Sequence, residues 1–67
     1  MINLYLFQIR RNGYFGGMFA CYEETEEEAW KAFNKLYRKG PKELRLHEQD
    51  EVVLKTRPAT EKEIERL

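Results

Sequence analysis

Asn12-Gly13 stands between two apolar runs, Ile2-Asn3-Leu4-Tyr5-Leu6-Phe7-Gln8-Ile9 before it and Met18-Phe19-Ala20-Cys21-Tyr22 after it. No other feature restricts the fold as much. The favoured two-residue hairpin turns need positive φ, which asparagine and glycine reach at low cost. The sequence therefore predicts an antiparallel hairpin, with strands over residues 2–11 and 14–22. Alternation places Ile2, Leu4 and Leu6 on one face of the first strand and Tyr5, Phe7 and Ile9 on the other. Both faces are apolar, so this strand is expected to be covered on both sides. Gly16 and Gly17 fall inside the second strand. Glycine there marks a bulge, room for a bulky neighbour such as Trp30, or a place where a partner approaches bare backbone.

Thr25-Glu26-Glu27-Glu28 follows at once and reads as a capping box that opens a helix. Ala29, Trp30, Phe33, Leu36 and Tyr37 recur at the helical period and form one apolar stripe. Glutamates at its start and basic residues at its end suit the helix dipole. Gly40, as the residue just past the helix, and Pro41 terminate it. Beyond Pro41, Leu44 and Leu46 alternate with Glu43, Arg45 and His47, and Val52-Val53-Leu54 forms a second apolar run. The polar stretch 48–51 between them favours a second hairpin over one broken strand. Thr60-Glu61-Lys62-Glu63 is a second capping box, opening a short helix that carries Ile64 and Leu67. The expected fold is α+β: an antiparallel sheet of three or four strands with one amphipathic helix packed on it, in the order β-β-α-β or β-β-α-β-β, and a short C-terminal helix.

The chain of 67 residues makes a single domain, 1–67. A domain this small buries only about 60% of its unfolded surface, and few reach more than about 3–5 kcal/mol without a staple. Cys21 is its only cysteine, so no intrachain disulfide forms, and no Cys/His cluster has metal-ligand spacing. Packing and oligomerisation remain as routes to stability. Only one substantial helix is available to cover strand 1, which points to a homodimer through the sheet or to cover by the C-terminal segment. A signal peptide is not expected, because Asn3 and Gln8 interrupt the apolar N-terminal run. No segment is long and apolar enough for a membrane span. The unpaired thiol fits a reducing compartment, and the expected location is cytoplasmic.

The 12 basic and 12 acidic residues cancel, which weakens a case for nonspecific nucleic-acid binding. Their distribution is uneven. Glu23, Glu24, Glu26, Glu27 and Glu28 cluster at the helix start. Helix capping, dipole complementarity and a Glu27–Lys31 pair explain some of them; an anionic patch that docks on a cationic surface explains all five. Lys31, Lys35, Arg38 and Lys39 lie opposite Phe33, as a solvated helix face or a phosphate-tracking one. Arg10 and Arg11 beside Tyr14 and Phe15 put basic and aromatic side chains at one hairpin tip. Such a tip suits a protein interface, where Arg and Tyr are enriched, or a single-stranded nucleic acid.

Catalytic signals are absent from the pattern. His47-Glu48-x-Asp50-Glu51 lacks the second histidine of a zinc-peptidase helix and reads as a solvated acidic turn. Cys21 and His47 make a nucleophile and base only if the fold brings them together; free cysteine is usually a small buried hydrophobe. Gly13-x-x-Gly16-Gly17 lies in a hairpin rather than between a strand and a helix, so it does not cradle phosphate. No catalytic residue, metal ligand or cofactor is expected.

The order of strand, glycine turn, strand and then Thr25-Glu26-Glu27-Glu28-Ala29-Trp30 opening a helix resembles small proteins of bacteriophages and mobile elements, inhibitors of the anti-CRISPR type among them. The resemblance spans residues 2–40 and rests on general fold signals. The same order is loosely similar to the arm-type DNA-binding domain of phage integrases, which has three strands before its helix where this chain has two. The first resemblance implies a non-enzymatic protein-binding module that inhibits by surface occlusion. Arg10, Arg11, Tyr14, Phe15, Glu23, Glu24 and Glu27 are the candidate partner-binding residues. The alternative is a nucleic-acid-binding accessory protein using Arg10, Arg11, Lys31, Lys35, Arg38 and Lys39.

Overall fold

The computed structural model describes all residues from Met1 to Leu67. Its elements are β1 (Asn3–Arg11), β2 (Tyr14–Glu23), α1 (Glu26–Tyr37), β3 (Asp50–Pro58) and α2 (Glu61–Glu65). The three strands form one sheet in the order β2-β1-β3, with both pairings antiparallel. The fold is α+β, with β1 central and α1 across one face. Asn12 and Gly13 make the turn, at φ 53° and 82°, the geometry that matches strand twist in a two-residue hairpin. Ile9 lies opposite Gly17 and Arg10 opposite Phe15, so Gly16 is the extra residue of a bulge. Gly16 sits over Ile9 and Arg11, which identifies these glycines with a bulge and not with room for Trp30.

Tyr5, Phe7 and Ile9 face α1 and are buried with Ala29 and Phe33. The Phe33 ring stacks on Phe7 at 4.6 Å between centroids. Trp30, half-buried, meets both rings edge-on at 4.9 and 5.6 Å. Phe19 and Tyr37 complete the cluster. Offset and edge-to-face contacts of this kind add to the area that aromatic side chains bury. Rings form the centre of this small core, and Ile9, Ala29, Leu46, Val52 and Leu54 pack around them.

The helix ends depart in detail from expectation. Thr25 Oγ1 accepts the Glu28 N–H at 3.2 Å, but the Glu28 carboxylate takes the Thr25 hydroxyl rather than the Thr25 N–H, so only half of the box forms. Both halves form at α2, between Thr60 and Glu63. At the other end of α1, the N–H groups of Arg38 and Lys39 both donate to the Asn34 carbonyl. Arg38 is the C-cap, and Gly40 does not adopt positive φ. Glycine is needed at 40 for another reason: a Cβ there would overlap the Leu36 backbone carbonyl. Gly40→Ala is expected to destabilise by about 1–3 kcal/mol, as overpacking against an immovable neighbour does. Gly16→Ala, whose added methyl meets its nearest atoms at 3.4–3.5 Å, is the near-neutral control, and thermal melts of the two compare them.

Two expectations are corrected. Residues 42–56 do not form a second hairpin. Lys42–Leu44 is a short 3-10 turn, and the Leu46 N–H donates to the Tyr37 carbonyl at 3.0 Å. That bond ties the segment to the helix end, and β3 alone takes the free edge of β1. Nor is β1 covered on both sides. Its second face, with Leu4, Leu6 and Gln8, is flanked by Tyr22, Ala20 and Met18 on β2 and by Arg57, Lys55 and Val53 on β3. The five-residue α2 reaches one end of this face through Glu63, which bonds Tyr22 and Arg57. The rest lies open, with Met18 50% exposed. No helix is long and apolar enough to cross a membrane.

Candidate functional site

The hairpin turn carries the candidate residues of the tip beyond the body of the molecule. Tyr14 is 78% and Phe15 64% exposed. Arg11 pairs with Tyr14 and Arg10 with Phe15, so the two aromatic rings leave the ribbon on opposite faces. Arg10 is free apart from a long bond of 3.4 Å to the Gly13 carbonyl. Arg11 is engaged: its Nε and a terminal nitrogen donate to the two carboxylate oxygens of Asp50 at 2.6 and 2.8 Å.

Asp50 in turn accepts the His47 N–H at 2.8 Å, and its side chain is fully enclosed. The Arg11 guanidinium, followed by the His47 N–H, holds the Asp50 carboxyl well below the usual range. Asp50 raises the Arg11 pKa correspondingly. A bidentate charged pair of this geometry is among the stronger side-chain contacts. It fastens β3 and the 47–50 turn to the base of the hairpin tip. Arg11 is therefore a clamp for the tip and not an open phosphate ligand. The acidic stretch around His47 resolves into this turn.

The acidic candidates lie elsewhere. Glu23 pairs with Asn3 and Tyr14 with Arg11, which puts Glu23, Glu24 and Glu27 about 26 Å along the strand from the tip. The seven partner-binding candidates thus form two separate groups. Glu27 and Lys31 make no ion pair; the ion pairs are Arg11–Asp50 and Arg57–Glu63. Lys31, Lys35, Arg38 and Lys39 line a shallow groove on α1 together with Asn34, whose buried Oδ1 has no hydrogen-bond partner. Because α1 covers one sheet face and Arg10 rises from the other, the basic groove and the tip do not form one surface.

Cys21 pairs across the sheet with Tyr5, six positions along β1 from the Arg11–Asp50 row beside His47. The two residues are about 20 Å apart along the sheet, too far to act together. Burial, then the nearby Glu23, pushes the Cys21 thiol up, away from the nucleophilic form. No three His, Cys, Asp or Glu side chains converge as metal ligands.

Sequence reasoning missed two features. One is the Glu63 cluster, where Glu63 accepts from Arg57 at 2.8 and 3.1 Å, from the Tyr22 hydroxyl and from the Thr60 N–H. Arg57, then Tyr22 and Thr60, lower the Glu63 pKa; Glu63 raises that of Tyr22. The other is the extent of the open face across β2 and β3. Alternation of Met18, Ala20 and Tyr22 against Phe19 and Cys21 carried that signal. Comparison of the chain with protein-family models, curated proteins and solved structures found no match.

Proposed function

We propose that this chain is a non-enzymatic protein-binding module whose hairpin tip enters a cleft on a partner and occludes it, in the manner of a small phage-type inhibitor. The observation that carries this reading is the pair Tyr14 and Phe15, both largely exposed, on opposite faces of one tight turn beside Arg10. Tyrosine and arginine dominate binding hot spots. The two-residue turn and the Arg11–Asp50 clamp hold the tip in one shape, which lowers the ordering cost of binding. Rings on both faces of a narrow ribbon suit a cleft with two walls more than a flat surface. Glu23, Glu24 and Glu27 form a second, separate anionic patch for the same partner or another.

The test is capture of partners from a lysate of the source organism with the tagged chain, followed by mass spectrometry. Tyr14→Ala/Phe15→Ala serves as the comparison, its fold checked by circular dichroism. A defined protein recovered by the native chain and reduced at least tenfold by the double variant is the expected result. Equal recovery by both would overturn the reading. Binding to oligonucleotides that falls steeply with salt, with no protein captured, would replace it with the nucleic-acid alternative.

A further inference from the structure

We infer that the basic groove of α1 is a second binding surface, one that takes the phosphate backbone of a nucleic-acid duplex. This inference does not depend on the hairpin-tip reading. The groove is lined by Lys31, Asn34, Lys35, Arg38 and Lys39. The spacing i, i+4, i+7 and i+8 puts the four cations on one side of the helix, along about 12 Å of its axis. All four are exposed. None is held in an ion pair, since the ion pairs of the molecule are Arg11–Asp50 and Arg57–Glu63. No acidic side chain enters the lining. The helix dipole favours cations, but only within the last turn, and Lys31 lies before that turn in the middle of Glu26–Tyr37. Four like charges gathered without a counter-charge repel one another, and an anionic occupant relieves that repulsion.

The lining also decides the kind of anion. It contains no apolar or aromatic residue. The core of a protein interface is apolar and depleted of charge, so this groove does not suit an acidic protein. A single strand is gripped by stacking its bases on rings, and the exposed rings of Tyr14 and Phe15 do not line the groove. A duplex needs neither, because lysine and arginine contact its phosphates directly. It presents a phosphate charge about every 1.7 Å of its axis, so each of the four cations finds a partner. Glu27 and Glu28 stand one turn before Lys31 on the same side of the helix. The duplex therefore crosses the C-terminal half of α1 instead of running along the whole helix. Phosphate contacts alone carry no sequence information, so the binding is independent of sequence. The zero net charge does not oppose it, because the acidic residues gather at the other end of α1. That separation of charge orients the molecule as it approaches a polyanion.

Fluorescence anisotropy of a labelled DNA duplex, titrated with the full chain over a salt series, tests this. With four phosphate contacts, log affinity should fall against log salt with a slope of about −3 to −4. That is about a hundredfold loss between about 50 and 200 mM salt. Lys35→Ala/Arg38→Ala should make the slope shallower by about two and leave the circular dichroism spectrum unchanged. Tyr14→Ala/Phe15→Ala should bind the duplex as the native chain does, and a duplex of different sequence should bind equally well. Absence of duplex binding at the lowest salt overturns the proposal, as does a slope that Lys35→Ala/Arg38→Ala leaves unchanged. Tighter binding of a single strand, lost in Tyr14→Ala/Phe15→Ala, overturns it in favour of the hairpin tip. Polyglutamate that displaces the duplex at equal charge concentration overturns it in favour of an acidic protein.

Discussion

Phe33→Ala is expected to leave the chain largely unfolded at room temperature. Phe33 has no exposed surface and touches Phe7, Phe19, Trp30 and Tyr37. Removing a ring from such a position costs about 3–5 kcal/mol, the transfer and cavity terms together. A domain of this length holds about that much in total. Circular dichroism and a urea titration read the loss directly. Lys35→Ala, on the outer face of the same helix, is the control and should melt as the native chain does. An unchanged transition for Phe33→Ala would mean that α1 presents a different face to the sheet.

Asp50→Ala is expected to lower the melting temperature by about 10 °C, as loss of an enclosed, bidentate partner does in a domain of this size. The ion pair also has a pH signature. Asp50 and Glu63 both have pKa values lowered in the folded state, Asp50 chiefly by Arg11 and Glu63 chiefly by Arg57. A group of this kind stabilises the fold at every pH above its unfolded value near 4. The stabilisation fades as pH falls through that value towards the folded one. Native-chain stability should thus be flat from about pH 7 to 5 and decline below about pH 4. Asp50→Asn should be less stable at neutral pH and show a shallower acid decline. A decline as steep as that of the native chain would show that Arg11 does not hold Asp50 in solution. Because the same pair anchors the tip, Asp50→Asn should also weaken any capture that depends on Tyr14 and Phe15.

The central place of Phe33 among the rings explains why the first of these effects is so large. Seven ring–ring contacts link Phe7, Phe19, Trp30, Phe33 and Tyr37. Ile9, Val52 and Leu54 pack around this cluster, and close-packed side chains relax only partly into a cavity. Gly40 shows the same tightness in the backbone, where the chain leaving α1 presses on the Leu36 carbonyl.

The local elements were legible because their determinants are local. Asn12-Gly13 sets the turn through φ alone, Thr25 and Thr60 start helices through one side-chain oxygen each, and the spacing of Ala29, Trp30, Phe33 and Tyr37 decides which face of α1 is buried. The site was only half legible. Exposure of Tyr14 and Phe15 follows from their place at a turn. The fate of Arg11 does not, because its partner Asp50 lies 39 residues away and meets it only when β3 pairs with β1. The same pairing gives the free edge of β1 to β3, while residues 42–46 follow the helix end, where the Leu46 N–H donates to the Tyr37 carbonyl. It also joined Leu4, Leu6, Ala20, Met18 and Val53 into one surface. Alternation assigns each of these residues to a side of its own strand. Only strand order and register determine which sides coincide, and only the shortness of α2 leaves that shared side uncovered.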